Sequence, residues 1–541
     1  MVVPGLSDSC VMELATWGRR WAIASPHTAA TRAGAAAFAA GGNAIDAALA
    51  ASITLAVTYP QACGVGGDLF AVVDRAGHDG GETLAVISAG RAPAAADPEA
   101  VRREHGDRMP IRGPHPVTVP GAAAGWETLH RMGARLEWSS HFAVGTAAAF
   151  DGIPAARGLA ATLADPDERA VFEADAGLRA VFYPDDVPLA RGDLVFQPAL
   201  GATLEAVAAG GAEALYRGPV GAAYVEGLRA AGSPITTEDL ARHEPAIVPP
   251  LRAAWRGLHL SVAPPPSPGL SLLQILTLGE RLGLDPDPSG PDAAAWARVF
   301  LAAERDVARH LADPDRMAVH VSTLLDDGHL AALTDEVEGP LVPERATVKP
   351  GGDTIAVVTA DAEGHAVSLI QSLFDGFGAG ILEPRTGIVA HDRGACFTLD
   401  AALPSCFAPG ARPPHTLLPV VVHDEDRLVG VAGTMGGYQQ PQIDAQTIAS
   451  AFARGADPGD AVAAPRFVVD DLPEDGGVPR VAAEASVPAD AVAAIEDAGF
   501  AVQRFDDLDG EVGHAHLIAR HADGRLHVGS DPRADGGAMA D

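Results

Sequence analysis

The segment that most constrains this chain is a turn-rich stretch that passes directly into an apolar strand at Thr354. Residues 349–353 favour turns, whereas residues 355–359 are apolar and typical of a buried strand. A second apolar run at 366–373 follows a turn at 361–364, so the two runs predict a β-hairpin. The fold is therefore expected to bury a hairpin whose first strand begins at Thr354.

A cut between Asp353 and Thr354 would give one residue two chemical roles. The new α-amine of Thr354 would lie beside its own hydroxyl, so a single residue would supply both a nucleophile and its base. A Gly-Asp-Thr motif before a strand is also ordinary turn chemistry, since threonine is a good strand residue. The surrounding sequence decides between these two interpretations.

The rest of the sequence predicts an α/β chain that is mainly helical from 97 to about 345 and richer in strands after Thr354. The glycine-rich loop 64–68 is interpreted as a tight turn, because it lacks the lysine of a phosphate-binding loop. The pattern fits one large unit with strands buried between helices. The other expected elements are helices at 29–40, 44–57, 444–453 and 488–498 and strands at 69–73, 417–422 and 428–432.

Charge and hydropathy exclude several classes of partner. The net charge is −33, and such a surface repels nucleic acid and anionic membranes. The best candidate for a membrane span, residues 44–60, is interrupted by Asp46. The first 25 residues lack the pattern of a secretory signal, so a cytoplasmic protein without a membrane partner is expected.

Cysteine and histidine patterns give no metal site. The four cysteines are too scattered for a disulfide framework or a metal cluster, and buried reduced thiols are expected. His514 and His516 are expected to have a surface or packing role, because no cysteine ligands lie near them. The cysteines are Cys10, Cys63, Cys396 and Cys406.

Short segments on both sides of Thr354 occur in an order typical of one enzyme family. They are GGNAIDAA (41–48), GVGGD (64–68), VPG with GW (119–126), QP (197–198), YRG (216–218), PPSPG (265–269), FGAGI (377–381), GTMGG (433–437) and DPRADG (531–536). Each segment is weak evidence alone, but together they are specific. From about residue 24 to 538, the chain resembles the γ-glutamyltransferase family of N-terminal-nucleophile hydrolases.

The resemblance implies a precursor that cleaves itself before Thr354. Its products would be a larger subunit, residues 1–353, and a smaller subunit, residues 354–541. The two would stay together as one intertwined α/β unit, a four-layer αββα sandwich with mainly helical additions in the N-terminal two-thirds. Whether the processed pair dimerises further stays open.

The resemblance also assigns catalytic roles. Gly436 and Gly437 correspond to the paired glycines whose backbone N–H groups stabilise the tetrahedral oxyanion. Ser372 corresponds to the hydroxyl residue that hydrogen-bonds the nucleophile, at the family's spacing from Thr354 without a gap. We expect neither a metal nor an organic cofactor, because the chain supplies nucleophile, base and oxyanion donors.

Several positions depart from the family's pocket for an α-amino acid. Ala89 stands where a carboxylate-binding arginine is expected. Phe374 and Cys396 replace the asparagine and aspartate that would meet the ammonium group, and His415-Thr416 replaces a serine pair. An ammonium group without acceptors would be costly to desolvate, so glutathione is expected to be a poor substrate.

Arg393 suggests a different substrate. The pattern 393–397 resembles the acylase and amidohydrolase branch of the family, and a guanidinium binds a carboxylate bidentately. We predict an acyl group with a distal carboxylate held by Arg393, with Arg91 as a helper. A structural ion pair of Arg393 is the alternative. The segment 397–412 is shorter than in lidded members, which predicts an open site that favours hydrolysis over transfer.

The leading hypothesis is a self-processing N-terminal-threonine amidohydrolase or acylase that cleaves amides of a small carboxylate-bearing acyl group. One alternative is a true γ-glutamyltransferase or glutathione hydrolase with a rebuilt pocket. Another is an unprocessed, catalytically silent homologue that serves as a binding protein.

Overall fold

The computed structural model describes residues 12–75, 81–342, 352–471 and 477–541. Cys10 and most of the turn-rich stretch, residues 349–351, lie outside the described residues. The helices are α1 Thr28–Ala39, α2 Ala44–Thr58, α3 Pro98–His105, α4 Ala122–Arg131, α5 Ala143–Asp151, α6 Arg157–Ala164, α7 Pro166–Ala174, α8 Ala176–Phe182, α9 Pro198–Gly210, α10 Glu213–Tyr216, α11 Pro219–Ala230, α12 Thr237–Ala241, α13 Gly269–Arg281, α14 Ala293–His310, α15 Asp327–Glu338, α16 Gln440–Ile448, α17 Pro458–Ala463 and α18 Ala489–Asp497.

Most strands belong to two seven-stranded sheets. The strands are β1 Ala15–Gly18, β2 Trp21–Ser25, β3 Asp68–Arg75, β4 Glu82–Ser88, β5 Ile153–Pro154, β6 Leu194–Val195, β7 Ala246–Val248, β8 Leu251–Trp255, β9 Leu258–Val262, β10 Asp353–Asp361, β11 Ala366–Phe374, β12 Leu382–Glu383, β13 Ile388–Val389, β14 Val420–Asp424, β15 Arg427–Met435, β16 Phe467–Asp471, β17 Arg480–Glu484, β18 Ala501–Phe505, β19 His514–Arg520, β20 Leu526–Ser530 and β21 Gly537–Ala540. The first sheet has the order β21-β2-β10-β11-β3-β4-β7, and the second has the order β1-β20-β19-β15-β14-β9-β8.

The alternation of side chains along β10 assigns its two faces to two different cores. Ile355 and Val357 pack in an apolar cluster with residues of α1 and α2. Ala356 and Val358 belong to another cluster that includes residues of the second sheet. The outer face of the second sheet packs against α13, α14 and α16. The layers therefore run helix, sheet, sheet, helix, and the predicted αββα sandwich is confirmed.

The hairpin and the first two helices form as predicted. β10 pairs with β11 in antiparallel register, and Asp361 Oδ1 accepts the backbone N–H groups of Gly364 and His365 in the turn. Asn43 caps α2 in a capping box with Asp46, which explains the break after α1. None of the helices in the described parts of the chain is long and apolar enough to cross a membrane.

The prediction of mainly helical structure from 97 to about 345 misses five short strands, β5 to β9. Each has at most five residues, and β8 alternates half-buried and exposed positions, which is a weak pattern in so short a segment. The expected packing role of His514 and His516 is observed, since both are buried on β19 and neither lies at the surface. Cys63 is buried, and Cys396 and Cys406 are partly buried free thiols.

Candidate active site

The candidate site lies between the two sheets, at the edge where β10 begins and β11 ends. Ser368 on β11 donates a hydrogen bond of 2.6 Å to the Ala432 carbonyl of β15, so this face of β11 looks onto the second sheet. Ser372 is four residues further along the same face. Asp68 is its antiparallel partner on β3 and therefore shares that face. The site is thus built where the layer between the sheets reaches its edge.

Hydrogen bonds join Thr354, Ser372 and the Asp353 carbonyl. Thr354 is fully buried, and its Oγ1 donates to Ser372 Oγ over 3.1 Å. Ser372 Oγ donates to the carbonyl oxygen of Asp353 over 2.7 Å and accepts the backbone N–H of Phe374 over 2.7 Å. Ser372 therefore contacts both the predicted nucleophile and the carbonyl of the peptide bond that precedes it.

The backbone is irregular around the predicted nucleophile. The pairing of β10 with β11 shifts between Asp353 and Ile355, so that Thr354 lies opposite an irregularity of β11. Opposite Asp353, Phe374 has a φ of 85°, a left-handed conformation that is rare for a bulky side chain. Such strain costs about 1–3 kcal/mol and is concentrated at functional sites.

The predicted oxyanion glycines lie against the residue before Asp353. A Cβ atom on Gly352 would be 2.6 Å from Gly437 Cα and 3.2 Å from Gly437 N. Gly436 and Gly437 have φ values of 149° and 53°, which favour glycine. A Cβ atom on Gly436 would also lie 2.4 Å from Ile443 Cδ1. The chain just before the predicted cleavage point therefore runs directly past Gly437.

Arg393 is fully buried, and its guanidinium forms no ion pair with a carboxylate of the described residues. Its guanidinium carbon lies 4.4 Å from the ring centroid of Phe374. Nη1 donates to Thr416 Oγ1 over 2.9 Å and to the Cys396 sulfur over 3.7 Å. Nε and Nη2 have no hydrogen-bond partner in the described structure. An unpaired buried charge is costly, so these two N–H groups are available to an anionic ligand.

His415 and Asp68 hold the residues that support Arg393. Asp68 Oδ2 accepts from His415 Nε2 over 3.1 Å, and His415 Nδ1 accepts the backbone N–H of Thr416. Burial lowers the pKa of His415 well below its ordinary value, so its ring is neutral. Burial also raises the pKa of Asp68 to about 7, against the opposing effect of Arg393. His415 thus positions Thr416, which in turn orients Arg393.

Arg91 is engaged in a separate ion pair. Its Nη1 donates to Asp313 Oδ2 over 2.8 Å and to the Gly410 carbonyl over 2.9 Å, and Nη2 lies 3.5 Å from Asp315. This pairing differs from the unpaired state of Arg393. A role for Arg91 as a helper in substrate binding stays a prediction.

Asp353 belongs to an acidic group that surrounds one arginine. Arg112 lies 2.8 Å from Glu168 and 3.0 Å from Asp375 and donates to the Gly376 carbonyl. Burial, together with the carboxylates of Asp375 and Glu168, raises the pKa of Asp353 to about 7. The residue before the predicted cleavage point is therefore only partly ionised at neutral pH.

Three residues of this region are not found by the sequence interpretation. Asp68 is hidden in the segment interpreted as a tight turn, although an acidic residue at the start of an apolar strand was an available indication. Tyr438 directly follows Gly437, and its ring lies 6.1 Å from Phe374 in an edge-on arrangement. Arg112 lies outside the quoted motifs, and its contacts with Glu168 and Asp375 had no sequence signal.

Comparison with known proteins decides the family. Residues 30–541 match the family described as gamma-glutamyltranspeptidase. The chain belongs to the γ-glutamyltranspeptidase family. It is 32% identical over 531 residues to the oxamate amidohydrolase proenzyme of Klebsiella pneumoniae, covering 95% of this chain and 97% of that protein. It is 30% identical over 564 residues to the acylase ACY 1 proenzyme of Pseudomonas sp. strain V22, covering 99% and 96%.

A solved structure agrees with this assignment to the γ-glutamyltranspeptidase family. The cephalosporin acylase from Bacillus halodurans superimposes with a TM-score of 0.89 at 30% identity, covering 100% of this chain and 99% of that one. The predicted family, its acylase and amidohydrolase branch and its fold are therefore confirmed. The relatives' names describe hydrolases of amide bonds and proenzymes, so the prediction of a hydrolase acting on amide bonds is confirmed as well.

Proposed function

We propose that this protein is a self-processing amidohydrolase or acylase, with Thr354 as its nucleophile and Arg393 as the binding group for a small carboxylate-bearing acyl group. The observation that carries the proposal is the series of hydrogen bonds from Thr354 Oγ1 through Ser372 Oγ to the Asp353 carbonyl. This series links the attacking oxygen to the carbonyl that it would attack. Relatives named as proenzymes support the proposal.

Self-cleavage begins when Thr354 Oγ1 attacks the carbonyl carbon of Asp353. The hydrogen bond from Ser372 stabilises the negative charge that develops on the carbonyl oxygen. The carbon–nitrogen bond breaks, the nitrogen of Thr354 takes the proton that its hydroxyl gives up, and Asp353 is left as an ester on Thr354 Oγ1. Water hydrolyses this ester and gives a larger subunit, residues 1–353, and a smaller subunit, residues 354–541.

Turnover reuses the same hydroxyl. The freed α-amine of Thr354 accepts the hydroxyl proton while Oγ1 attacks the carbonyl carbon of the substrate amide. Backbone N–H groups of Gly436 and Gly437 stabilise the oxyanion. The amide bond breaks, the amine leaves with a proton, and an acyl group remains on Thr354. Water then releases the carboxylic acid and restores the hydroxyl.

The unpaired edge of Arg393 supports the substrate class. Nε and Nη2, the two nitrogens without partners, are neighbours on one edge of the guanidinium, and a carboxylate accepts two parallel hydrogen bonds from such an edge. Phe374 and Cys396 offer no carboxylate to an α-ammonium group. An amide of a dicarboxylic acid therefore fits this pocket better than a γ-glutamyl compound.

An intact-mass spectrum of the purified protein tests the first part. We expect two fragments that separate between Asp353 and Thr354, and a single full-length mass for the Thr354→Ala variant. The Thr354→Ser variant keeps a hydroxyl and serves as the matched control, with slower cleavage expected. If the wild-type chain stays full-length and hydrolyses no amide, the alternative of an unprocessed, catalytically silent binding protein would be favoured.

Paired amides test the second part. The processed enzyme is assayed on two amides that share a leaving amine and differ by a distal acyl carboxylate. We expect a clear preference for the carboxylated amide. Glutathione turnover at a comparable rate would instead favour a γ-glutamyltransferase with a rebuilt pocket.

A further inference from the structure

The end of α3 and the loop after it bring three potential metal ligands together. His115 Nε2 lies 2.9 Å from Glu104 Oε2, and His105 Nε2 lies 3.6 Å from Glu104 Oε1. The centroids of the two imidazole rings are 5.2 Å apart, and the ring planes are nearly perpendicular, at 77°. One ligand atom from each of the three residues lies within 4.8 Å of the other two. Glu104 therefore faces two imidazole nitrogens at the same time.

The spacing of these ligand atoms suits a zinc ion. Zinc binds histidine nitrogen and carboxylate oxygen at about 2.0–2.2 Å in tetrahedral geometry, which sets neighbouring ligand atoms about 3.4 Å apart. The observed separations of 2.9 and 3.6 Å lie on either side of this value. Two imidazoles and one carboxylate are a ligand set that zinc sites use with a fourth position open to water. Magnesium and calcium prefer oxygen ligands, so the two imidazoles select against them.

The two arginines that precede these ligands on α3 are paired with other carboxylates. Arg102 forms an ion pair with Glu99. Arg103 lies 3.6 Å from Asp97. Neither arginine therefore competes with a cation for the third carboxylate of this helix.

The exposure of the three ligands fits an ion held at the surface. The side chains of His105 and His115 are only 29% and 21% exposed, so the fold restricts both rings. The Glu104 side chain is 63% exposed, which leaves room for water as a fourth ligand. The hydrogen bond with His115 lowers the pKa of Glu104 below its ordinary value, so a carboxylate is present at neutral pH.

A second group of two histidines around one carboxylate provides an internal comparison. His329 Nε2 lies 3.0 Å from Asp306 Oδ2, and His310 Nε2 lies 3.6 Å from Asp306 Oδ1. The Asp306 side chain is only 2% exposed, and Gln274 Nε2 donates to its Oδ2 over 2.7 Å. This carboxylate is thus already hydrogen-bonded inside the protein, whereas Glu104 is open to solvent. The Asp306 group therefore supplies a matched control.

An ion at the three ligands would fasten a loop that contacts the candidate active site. Arg112 lies in this loop, 3.0 Å from Asp375. Pro116 directly follows the third ligand, and its carbonyl accepts the backbone N–H of Gly394, next to Arg393, over 2.8 Å. Closing the loop at the end of α3 restricts its alternative conformations. Bound zinc would therefore help to hold both contacts in place.

We propose that Glu104, His105 and His115 form a structural zinc site, with water as the fourth ligand, that fastens the loop after α3 to the end of that helix. None of the three ligands is a hydrogen-bond partner of Thr354 or Arg393 in the described structure. The ion has no part in the acyl transfer, so the expectation that catalysis needs no metal is unchanged. The inference is also independent of the proposed function.

Zinc binding is measured on the full protein, purified without a histidine tag and treated with a chelator, by competition with a coloured zinc indicator. His115→Asn should weaken binding by at least about 10-fold, since even the outer-shell partners of metal ligands contribute 10- to 100-fold. Glu104→Gln should weaken it similarly, and its exposed position guards against misfolding. His329→Asn alters the Asp306 group and should change nothing. No zinc binding by the wild type, or equal losses in His115→Asn and His329→Asn, overturns the proposal.

Limited digestion with trypsin then tests whether zinc fastens the loop. Trypsin cleaves after arginine, and the loop contains Arg108 and Arg112. Zinc at about 10 times its Kd should slow cleavage there by about 10-fold, if only the open, zinc-free loop is cut. The rate in His115→Asn should not respond to zinc. Zinc binding without protection of the loop would overturn the structural role. Neither measurement uses an amide substrate, so a failure of the proposed function would leave both results unchanged.

Discussion

Arg533 and Arg393 are both buried, but their guanidinium groups are satisfied in different ways. Arg533 donates Nε to Glu484 over 2.9 Å and Nη1 to Asp531 over 2.9 Å, and Nη2 reaches Glu484 over 2.5 Å. It also donates to the Val462 carbonyl. Arg393 has one neutral oxygen, Thr416 Oγ1, and a distant sulfur.

The difference separates an arginine that holds the fold from one that is left available to a ligand. The positive charge of Arg533 is matched by two carboxylates within the fold. The fold leaves Nε and Nη2 of Arg393 without acceptors and places them over the face of Phe374. Because a buried charge without an ion pair is costly, we predict that a ligand supplies the partner of Arg393.

The largest expected effect is on stability, and it falls on Arg533. In the Thr354→Ala chain, Arg533→Met should lower the free energy of unfolding by about 3–5 kcal/mol, because the buried Glu484 loses its guanidinium partner and Asp531 keeps only Arg466. Arg393→Met removes a charge that has no partner, so it should leave stability within about 1 kcal/mol or raise it. Urea unfolding of both variants measures this. Equal losses in the free energy of unfolding would mean that Arg393, like Arg533, stabilises the fold.

The second prediction concerns the role of Ser372 in self-cleavage, a reaction that does not depend on substrate binding. Ser372→Ala removes the hydrogen bond to the Asp353 carbonyl, so self-cleavage should slow by about 10²–10³-fold, as for the loss of an oxyanion donor. Time courses of fragment formation after rapid dilution from denaturant give the rate. Ser368→Ala is the matched control, because Ser368 lies on the same face of β11 and bonds to Ala432 instead. Equal slowing in the control would indicate a general effect on the hairpin.

The Arg393→Gln variant tests how the enzyme binds the carboxylate of its substrate. For a carboxylated amide, we expect KM to rise by about 10- to 100-fold, which corresponds to losing charge-assisted hydrogen bonds worth about 1.5–3 kcal/mol. The neutral amide has no carboxylate at this position, so its KM should hardly change. Arg32→Gln provides a control, since Arg32 is an exposed arginine with no role in the proposed pocket. Equal increases on both amides would remove the contrast between Arg393 and Arg533.

The hairpin and the position of Thr354 beside Ser372 could be predicted because their evidence is local. The apolar runs on either side of a turn define β10 and β11, and their lengths place Thr354 and Ser372 at the same end of the pair. Gly436 and Gly437 were predicted from the family resemblance. In the structure both have positive φ values, which glycine adopts more easily than other residues. Local pattern and motif order were sufficient here.

The supporting network could not be predicted, because its contacts join distant parts of the chain. His415 and Asp68 are separated by 347 positions, and Arg412 and Ala89 by 323. Hydrophobic periodicity carries no information about such pairs. Nor does a sequence reveal whether a buried arginine has a counter-charge, so the structural ion pair weighed for Arg393 could be examined only in the folded chain.

The smallest expected effect concerns pH, and it contrasts two carboxyl groups, Asp531 beside Arg533 and Asp68 near Arg393. Burial alone would raise the pKa of Asp531, but Arg466 and Arg533 hold it below its ordinary value, so Asp531 stays charged. Burial raises the pKa of Asp68 to about 7 in spite of Arg393 and Arg412. Asp68 therefore binds a proton on folding. Its contribution to stability is fully present below about pH 4 and is lost as the pH rises to 7.

Ionisation of Asp68 should also weaken substrate binding. Below pH 7 the neutral acid leaves the charge of Arg393 undiminished, whereas above pH 7 the Asp68 carboxylate offsets part of it. His391 and His415 also face Asp68, but burial lowers the pKa of both, so they stay neutral through this range. The ratio of kcat/KM for the carboxylated amide to that for the neutral amide should fall by less than about 10-fold between pH 6 and 8. The ratio cancels the titration of the Thr354 amine, and Asp68→Asn should make it flat. A fall of the same size in Asp68→Asn would assign the titration to another group and leave Arg393 unaffected by its neighbour.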